Sequence, residues 1–183
     1  LKLIIETAID QQPQIVEDQH VKSAGKTKFG EIIGASSSMH KVYDQINQAA
    51  QTDIPVLVLG ETGTGKDLIA YTIHKMSQKA DDPYVAINLG ALPTDLVGSE
   101  LFGHEKGAFT GAVQQHKGVF EQGNRGTVFL DEIDTMDEKV QVSLLRLLEQ
   151  KKFKRLGGTR SLNSQARLIA ATNENLDELV ESG

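Results

Sequence analysis

The chain has 183 residues and a formal net charge of −6, with 39% hydrophobic residues, 24% charged residues and no cysteine. This composition is typical of one soluble globular domain, excludes disulfides and thiolate metal sites, and makes non-specific binding to duplex DNA a poor fit. No apolar run approaches the roughly 20 residues of a membrane-spanning helix. Since the chain begins with Leu1 and lacks a secretory signal, we expect an internal segment of a longer cytoplasmic protein with no membrane contact.

The N-terminal stretch differs in composition from the rest of the chain. Apolar residues at positions 3–5, 8 and 9 predict the end of a short helix. Residues 10–28 are rich in Gln, Asp, Lys and Gly, which predicts a linker. We therefore interpret residues 1–28 as a linker or the remnant of a signalling helix from an upstream domain, and we expect the globular part to begin near residue 29.

From that point onward, apolar periodicity predicts an α/β domain. Serines at 36–38 offer N-cap oxygens to a helix that continues to Ala50. Short apolar runs then alternate with helical patterns. The runs occupy residues 55–59, 84–89, 127–130 and 167–171, and the patterns lie near 68–76 and 140–148. This alternation predicts a mainly parallel central sheet with crossover helices, and it leaves the strand order open.

A glycine-rich loop joins the first of these strands to a helix. It reads Gly60, Glu61, Thr62, Gly63, Thr64, Gly65, Lys66, Asp67, which is a Walker A loop in the required strand–turn–helix context. The glycines let backbone N–H groups point at phosphates, and Lys66 adds positive charge at the helix N-terminus. Asp67 replaces the usual Ser or Thr ligand of Mg²⁺, and its carboxylate can hold the cation directly or through water. The alternative is a glycine-rich turn with an incidental lysine.

Two carboxylates end the third predicted strand. Asp131 and Glu132 follow an apolar run, and the carboxyl ends of strands carry the ligand site in open α/β sheets. Asp131 is then the natural partner of Mg²⁺, and Glu132 the natural base that orients the attacking water. The alternative is a solvated acidic turn, because more Asp and Glu follow closely. Together with the glycine-rich loop, this pair predicts an NTPase.

A longer motif lies between these two sites. Residues 98–106 read GSELFGHEK and lead directly into the hexapeptide Gly107, Ala108, Phe109, Thr110, Gly111, Ala112. This GAFTGA sequence resembles the signature of sigma-54-dependent transcriptional activators, the bacterial enhancer-binding proteins of the AAA+ class. The resemblance extends over residues 29–183, which would be the N-terminal portion of the family's ATPase domain.

The resemblance implies a fold, a reaction and partners. The fold would be a P-loop NTPase (AAA+) three-layer sandwich, with ATP and Mg²⁺ as ligands. ATP hydrolysis would drive the GAFTGA loop, which contacts sigma-54, to remodel sigma-54 RNA polymerase for promoter opening. In the full protein, a two-component or other sensory regulator, the domain would form a hexamer-like ring. DNA would be bound only through a domain absent from this chain.

The resemblance also assigns roles to individual residues. Ile33 and Gly34 resemble the segment that lies against adenine. Asn88 resembles the asparagine that pairs with the catalytic glutamate, here Glu132, and reports the nucleotide state. Thr172 and Asn173, which follow the apolar run ending at residue 171, resemble the sensor that contacts the γ-phosphate or its water. An acidic residue after the P-loop lysine is normal within the family.

Several residues also allow a simpler interpretation. Small residues around Phe109 suit a mobile loop tip, whereas a buried turn with Phe109 in the core is the alternative. Residues 155–158 resemble the start of the family's second pore loop. The basic cluster formed by the lysines at 151, 152 and 154 with Arg155 also fits a solvated helix end.

The histidines do not predict a metal site. His74 and His116 have no second ligand at metal-binding spacing, and we interpret His104, within the family motif, as structural.

By the resemblance, the arginine fingers, the last strand of the sheet and the helical lid would follow residue 183. We therefore expect this segment alone to hydrolyse ATP weakly or not at all. Two other classes remain as alternatives. One is a non-enzymatic regulator with a vestigial nucleotide site, which intact Lys66, Asp131, Glu132 and Asn173 argue against. The other is an AAA+ protease or chelatase subunit, or a regulator working with the housekeeping sigma factor, which the complete GAFTGA motif argues against.

Overall fold

The computed structural model describes residues 2–4, 28–34 and 36–174. Within these ranges, no helix combines the length and apolar character that crossing a bilayer requires. In chain order the elements are β1 Lys2–Ile4, β2 Lys28–Phe29, β3 Ile32–Ile33, α1 Ser37–Ala50, β4 Val56–Leu59, α2 Lys66–Met76, β5 Tyr84–Asn88, α3 Thr94–Phe102, α4 Val119–Gln122, β6 Thr127–Asp131, α5 Glu138–Gln150, β7 Lys152–Lys154, β8 Ser161–Asn163 and β9 Arg167–Thr172. A short 3₁₀ helix, Ile133–Thr135, follows β6.

The central sheet has five strands in the order β1-β4-β9-β6-β5. Strands β4, β9, β6 and β5 are parallel, which confirms the prediction from the four apolar runs. In the register of these strands Leu59 lies opposite Thr172, and Asn88 lies opposite Asp131. The carboxyl ends of the parallel strands therefore meet at one edge of the sheet, where open α/β sheets bind their ligands.

The strand that pairs with the other edge of β4 was not predicted from the sequence. Lys2–Ile4 form β1, which pairs antiparallel with β4, where the sequence predicted the end of a helix. The rest of that predicted helix and nearly all of the linker lie outside the described residues. The sheet thus has a fifth strand even though the resemblance places the family's last strand beyond residue 183. A run of three apolar residues fits a strand or a helical turn equally, and the pairing with β4 decided between them.

Helices cover both faces of the sheet. One hydrophobic cluster joins α1 and α2 to a face that includes Phe129 and Ile169. A second joins α3, α4 and α5 to the opposite face, which includes Val128 and Leu130. Successive residues of a strand point to opposite faces, so neighbours such as Val128 and Phe129 enter different clusters. The result is the expected three-layer α/β sandwich.

Helices α1 and α5 have side-chain N-caps, whereas α2 has none. Ser36 Oγ accepts a hydrogen bond from Met39 N at 3.3 Å and caps α1, as predicted. Asp137 Oδ1 accepts from Val140 N at 2.8 Å and caps α5. The residue before α2 is Gly65, which has no side-chain cap. The N–H groups of the first turn of α2 therefore remain available to an anion.

Candidate functional site

The loop between β4 and α2 is exposed to solvent at its tip. Gly63 and Gly65 both have φ of 81°, a left-handed conformation that glycine adopts without steric cost. Lys66 has a buried side chain, and its Nζ donates to the carbonyl oxygens of Gly60 at 2.8 Å and Glu61 at 3.2 Å. The loop thereby brings a lysine ammonium and the N-terminus of α2 to one place, an arrangement that suits phosphate groups.

The other predicted residues of this loop lie on the surface. Glu61, Thr62 and Thr64 are exposed, and Thr64 Oγ1 donates to the Glu61 carbonyl oxygen at 2.7 Å, which tightens the turn. Asp67 is exposed in the first turn of α2. A carboxylate at this position interacts favourably with the helix dipole, so Asp67 has a local structural role whether or not it holds a cation.

The adjacent ends of β5 and β6 bring three predicted residues into contact. Asn88 Nδ2 donates to Glu132 Oε1 at 3.2 Å and to Asp131 Oδ2 at 3.4 Å. Asn88 Oδ1 accepts from Ala91 N at 3.0 Å. Because the Ala91 amide can only donate and ionised carboxylates can only accept, both contacts require the same orientation of the Asn88 amide.

Asp131 lies where negative charge accumulates. Burial raises the pKa of Asp131 above its usual range, and the charges of Glu132 and Asp67 raise it further, against the opposing effects of the Glu132 N–H and Lys66. A divalent cation would favour the ionised form of Asp131, and the assignment of Asp131 and Asp67 to Mg²⁺ stays a prediction. No group of three or more acidic or histidine side chains is arranged to hold a metal in the described part of the chain.

The backbone of Glu132 is in a conformation that is uncommon for a residue with a side chain. Its φ and ψ are 56° and 51°, in the left-handed region. The carboxylate lies over Gly90, since a Cβ at position 90 would come within 1.8 Å of Glu132 Oε2. Gly90 therefore provides the room that this position of Glu132 needs. No pattern in the sequence marks Gly90, because only the folded chain brings it next to Glu132.

The end of β9 completes the edge of the sheet. Thr172 is fully buried, its carbonyl oxygen accepts from Gly60 N at 3.3 Å, and its Oγ1 donates to Asp134 Oδ1. Asn173 follows as an exposed residue at the same edge. In the sequence, Asp134 is only one of several acidic residues that follow Glu132. Its partner Thr172 lies 38 positions away, so no local pattern signals the contact.

The β2–β3 hairpin carries the pair predicted to lie against adenine. Ile33 is 78% exposed, and the Gly34 carbonyl oxygen accepts from Tyr43 Oη at 2.9 Å. Phe29 stacks on the Tyr43 ring with a centroid distance of 4.6 Å, which anchors the hairpin on α1. Ile33 thus offers an apolar side chain to an aromatic ligand, and the adenine contact stays a prediction.

Residues 107–112 form a compact loop that is exposed except at its two alanines, since Ala108 is half-buried and Ala112 is buried. Gly107 N donates to the Ala112 carbonyl oxygen at 2.8 Å, and Ala112 N donates to that of Phe109 at 3.0 Å. The φ angles of Gly107 and Gly111, 82° and 105°, favour glycine at both positions. Phe109 is 37% exposed, so the alternative of a core phenylalanine is wrong. Thr110 is exposed beside it, and Ala108 packs against a neighbouring loop.

That neighbouring loop begins at Arg155. Arg155 Nε and Nη2 donate to Glu121 at 3.0 and 2.7 Å, and Nη1 donates to Glu105 at 2.8 Å. These contacts lower the pKa of Glu105 and raise that of Arg155. Glu105 N also donates to the Leu156 carbonyl oxygen at 3.0 Å, and a Cβ at Gly157 would come within 2.8 Å of Ala108 Cβ. The two loops are therefore joined at their bases.

The interpretation of the basic cluster as a solvated helix end is wrong for Arg155. Helix α5 ends at Gln150, and Lys151 follows in a left-handed conformation with φ of 55°. Lys152 and Lys154 lie exposed on β7, whereas the Arg155 side chain is 11% exposed and paired with two glutamates. A run of basic residues does not indicate which of them meets a carboxylate from another element.

His104 and His116 lie near the exposed loop and serve packing and polar contacts. His104 Nε2 donates to the Gln114 carbonyl oxygen at 3.1 Å, so in the neutral ring Nδ1 accepts from Ser99 Oγ at 2.7 Å. The His104 ring lies 5.0 Å from that of Phe109, and it supports the exposed loop from below. His116 faces Glu100 at 3.4 Å. His104 is therefore structural, as predicted.

A cavity of 470 Å³ lies away from the strand ends, between α5 and the β7–β8 hairpin. None of the predicted nucleotide-site residues lines it.

A family model described as the sigma-54 interaction domain matches residues 32–183. The Nif-specific regulatory protein of Azotobacter vinelandii is 51% identical over 152 residues, which are 83% of this chain and 29% of that protein. The DNA-binding transcriptional regulator NtrC of Escherichia coli (strain K12) is 43% identical over 180 residues, 98% of this chain and 38% of that protein. The chain thus spans well under half the length of these relatives.

Solved structures agree with the fold. A crystal structure of NtrX from Brucella abortus in complex with ATP superimposes with a TM-score of 0.76 at 30% identity, covering 84% of this chain and 33% of that chain. The P-loop NTPase domain of a sigma-54 activator from E. coli superimposes with a TM-score of 0.53 at 24% identity, which supports the fold alone.

Proposed function

Because this chain belongs to the sigma-54 interaction domain family, we propose that it is the ATP-binding AAA+ unit of a transcription activator that remodels sigma-54 RNA polymerase. The observation that carries the proposal is the meeting of four predicted groups at one edge of the sheet. Lys66 follows β4, Asn88 and Asp131 end β5 and β6, and Asn173 follows β9. A charged phosphate ligand is the substrate that this combination of groups suits best.

In this proposal the chain binds ATP and positions its γ-phosphate for attack by water. The N-terminus of α2 and Lys66 receive the β- and γ-phosphates and stabilise the charge that develops on them. Asp131 and Asp67 would hold Mg²⁺, which supplies further positive charge when bound. Glu132 orients the water that attacks phosphorus in line with the departing ADP oxygen, and it accepts the proton that this water loses.

In this proposal Glu132 has two positions, one bound to Asn88 and one turned toward the attacking water. With its amide bonded to the Glu132 carboxylate at 3.2 Å, the glutamate is held toward β5. Hydrolysis requires Glu132 to turn toward the water, so Asn88 has to release it. We propose that the γ-phosphate, sensed through Asn173, shifts this balance, and that the exposed loop 107–112 responds through the elements that carry these residues.

The partner surface in this proposal is the tip formed by Phe109 and Thr110. Both residues are exposed, and the paired loops hold them on a common base. In the whole protein this tip would contact sigma-54, several copies would assemble into a ring, and DNA would be bound by another domain.

Nucleotide-dependent capture of sigma-54 tests the proposal. Purified full-length protein is first titrated with Mg-ATP and Mg-ADP by calorimetry, and then mixed with sigma-54 in the presence of ADP–aluminium fluoride. We expect Lys66→Ala to lose nucleotide affinity by at least about 100-fold, since the ammonium contacts the phosphates, and to lose sigma-54 capture with it.

Two matched variants serve as controls. Lys41→Ala removes an exposed lysine on α1 and is expected to change neither measurement. Phe109→Ala is expected to lose capture while it keeps nucleotide affinity, whereas Val113→Ala, which alters an apolar side chain that is 78% exposed, keeps both. Capture of sigma-54 by Lys66→Ala at the wild-type level would contradict the proposal.

A further inference from the structure

Thr172 connects three segments of the candidate site. Its carbonyl oxygen accepts from Gly60 N at 3.3 Å, which ties it to the start of the phosphate loop. Its Oγ1 contacts Asp134 Oδ1 on the 3₁₀ helix that follows β6. The same Oγ1 lies 3.1 Å from Glu174 N. A fully buried side chain with partners in all these segments links their positions.

The direction of these hydrogen bonds follows from the groups involved. An ionised carboxylate can only accept, so the single hydroxyl proton of Thr172 points to Asp134. The hydroxyl oxygen then accepts from the Glu174 amide, which can only donate. This second contact closes a short turn around Asn173. The contact with Asp134 therefore orients the Thr172 hydroxyl that holds the Asn173 backbone in place.

Asp134 also lies two residues after Glu132 in the chain. Glu132 is the N-cap residue of the 3₁₀ helix Ile133–Thr135, and Thr135 donates to the Glu132 carbonyl oxygen from its N at 3.2 Å and from its Oγ1 at 2.8 Å. Glu132 itself has a left-handed backbone, a conformation that persists only where the surrounding structure holds it. Asp134 is the residue of this turn whose side chain reaches β9.

We propose that Asp134 is a positioning residue for ATP hydrolysis, which fastens the turn carrying Glu132 to the strand end carrying Asn173 through the Thr172 hydroxyl. The inference rests on the proposed function. Asp134 does not itself contact the nucleotide in this assignment. It keeps Glu132, which orients the water, and Asn173, which senses the γ-phosphate, at a fixed separation. Both residues can then act on the same bound γ-phosphate and water.

The test is a double-mutant cycle on the hydrolysis rate of the full-length protein. We expect Asp134→Ala and Thr172→Val each to lower kcat on the order of 10- to 100-fold, because small displacements of positioned groups have effects of this size. The Kd for Mg-ATP should change by less than about 3-fold, since the Thr172 hydroxyl is bound to Asp134 and to the Glu174 amide and so is not free to hold a phosphate. The double variant should be no slower than the worse single variant, because both remove one contact.

Conservative and control variants separate positioning from general damage. Asp134→Asn keeps an oxygen that accepts from Thr172, and it is expected to recover most of the lost kcat. Asp81→Ala removes an exposed carboxylate and should leave kcat unchanged. Glu132→Gln provides the reference for a protein that binds ATP and does not hydrolyse it. Thermal unfolding of every variant corrects kcat for the folded fraction.

The outcomes are distinct. Losses that multiply in the double variant, or that disappear after correction for the folded fraction, overturn the assignment of Asp134. So does an Asp134→Ala variant with wild-type kcat. A wild-type protein that binds ATP without turning it over instead refutes the proposed function itself.

Discussion

Several side chains in this molecule are positioned by contacts with residues that are distant in the chain. Glu132 lies over Gly90 and accepts from Asn88, and both neighbours belong to the β5 end of the sheet. His74, near the end of α2, is almost fully buried at 1% exposure, and its Nδ1 lies 3.0 Å from Thr127 Oγ1 on β6. Such contacts tie the helix layer to the strand that carries the acidic pair.

The buried imidazole predicts a pH dependence of stability. Burial lowers the pKa of His74 from its ordinary value of 6.5, and the charges of Lys75 and Arg167 act in the same direction. The unfolded chain therefore binds this proton more readily than the folded chain. The contribution of neutral, buried His74 to the free energy of unfolding is complete above about pH 6.5 and is lost as the pH falls below that value. We expect His74→Gln to show a smaller drop in Tm than wild type between about pH 7.5 and about pH 5.5.

Differential scanning fluorimetry at the two pH values measures this drop. His40→Gln, which changes an exposed histidine on α1, is the control and should keep the wild-type difference. Equal drops in wild type and His74→Gln would show that His74 stays neutral or stays solvated in both states.

At the scale of elements, the loop 107–112 is held at its base and by the contact of Phe109 with the His104 ring. Its hydrogen bonds are largely internal, and its connection to the body runs through Glu105, Arg155 and the loop that begins there. Arg155 also pairs with Glu121 on α4. The donors of a guanidinium form a rigid planar fork, so Arg155 fixes the relative orientation of the segments that carry Glu105 and Glu121 as well as the distance between them.

This anchoring predicts the effect of removing the guanidinium. Arg155→Ala leaves Glu105 and Glu121 close together without their shared cation, so the base of the loop should shift. We expect capture of sigma-54 with ADP–aluminium fluoride to fall by about 10-fold or more, while the Kd for Mg-ATP stays within about 3-fold of wild type. Arg146→Ala, which removes an exposed arginine on α5, should change neither quantity. Unchanged capture by Arg155→Ala would mean that the loop is held by its backbone contacts alone.

At the scale of the whole molecule, the sheet separates two hydrophobic clusters and carries the site at its edge. Leu130 is fully buried in the cluster beneath α3, α4 and α5, directly before Asp131. Exposed apolar side chains also occur, among them Leu145 on the outer side of α5 at 55% exposure. The two leucines allow the burial of one residue type to be compared within one protein.

We expect Leu130→Ala to lower the free energy of unfolding by about 2–5 kcal/mol, because it removes apolar contacts and leaves a cavity in a close-packed core. Leu145→Ala should change it by less than about 0.5 kcal/mol. Urea unfolding followed by circular dichroism measures both values. Similar losses in the two variants would indicate that the outer face of α5 is covered in solution.

Much of this architecture could be predicted from the sequence because its signals are local. The four parallel strands, the capped start of α1 and the glycine-rich loop before α2 each follow from residues within a few positions of one another. The position of Asp131 beside the phosphate loop followed as well, because parallel strands place their carboxyl ends at one edge, whereas the role of Asn88 came from the family resemblance. The family resemblance added roles for the exposed loop that composition alone leaves open.

The strand order, the edge strand β1 and the side-chain links were decided only by the tertiary structure. Asp134 and Thr172, or Arg155 and Glu121, are separated by more than thirty positions, and nothing in their local sequence marks them as partners. Periodicity determines which face of an element is apolar, since that depends on the geometry of one element. It does not determine which elements become neighbours, because that choice depends on how all of them bury their apolar faces together.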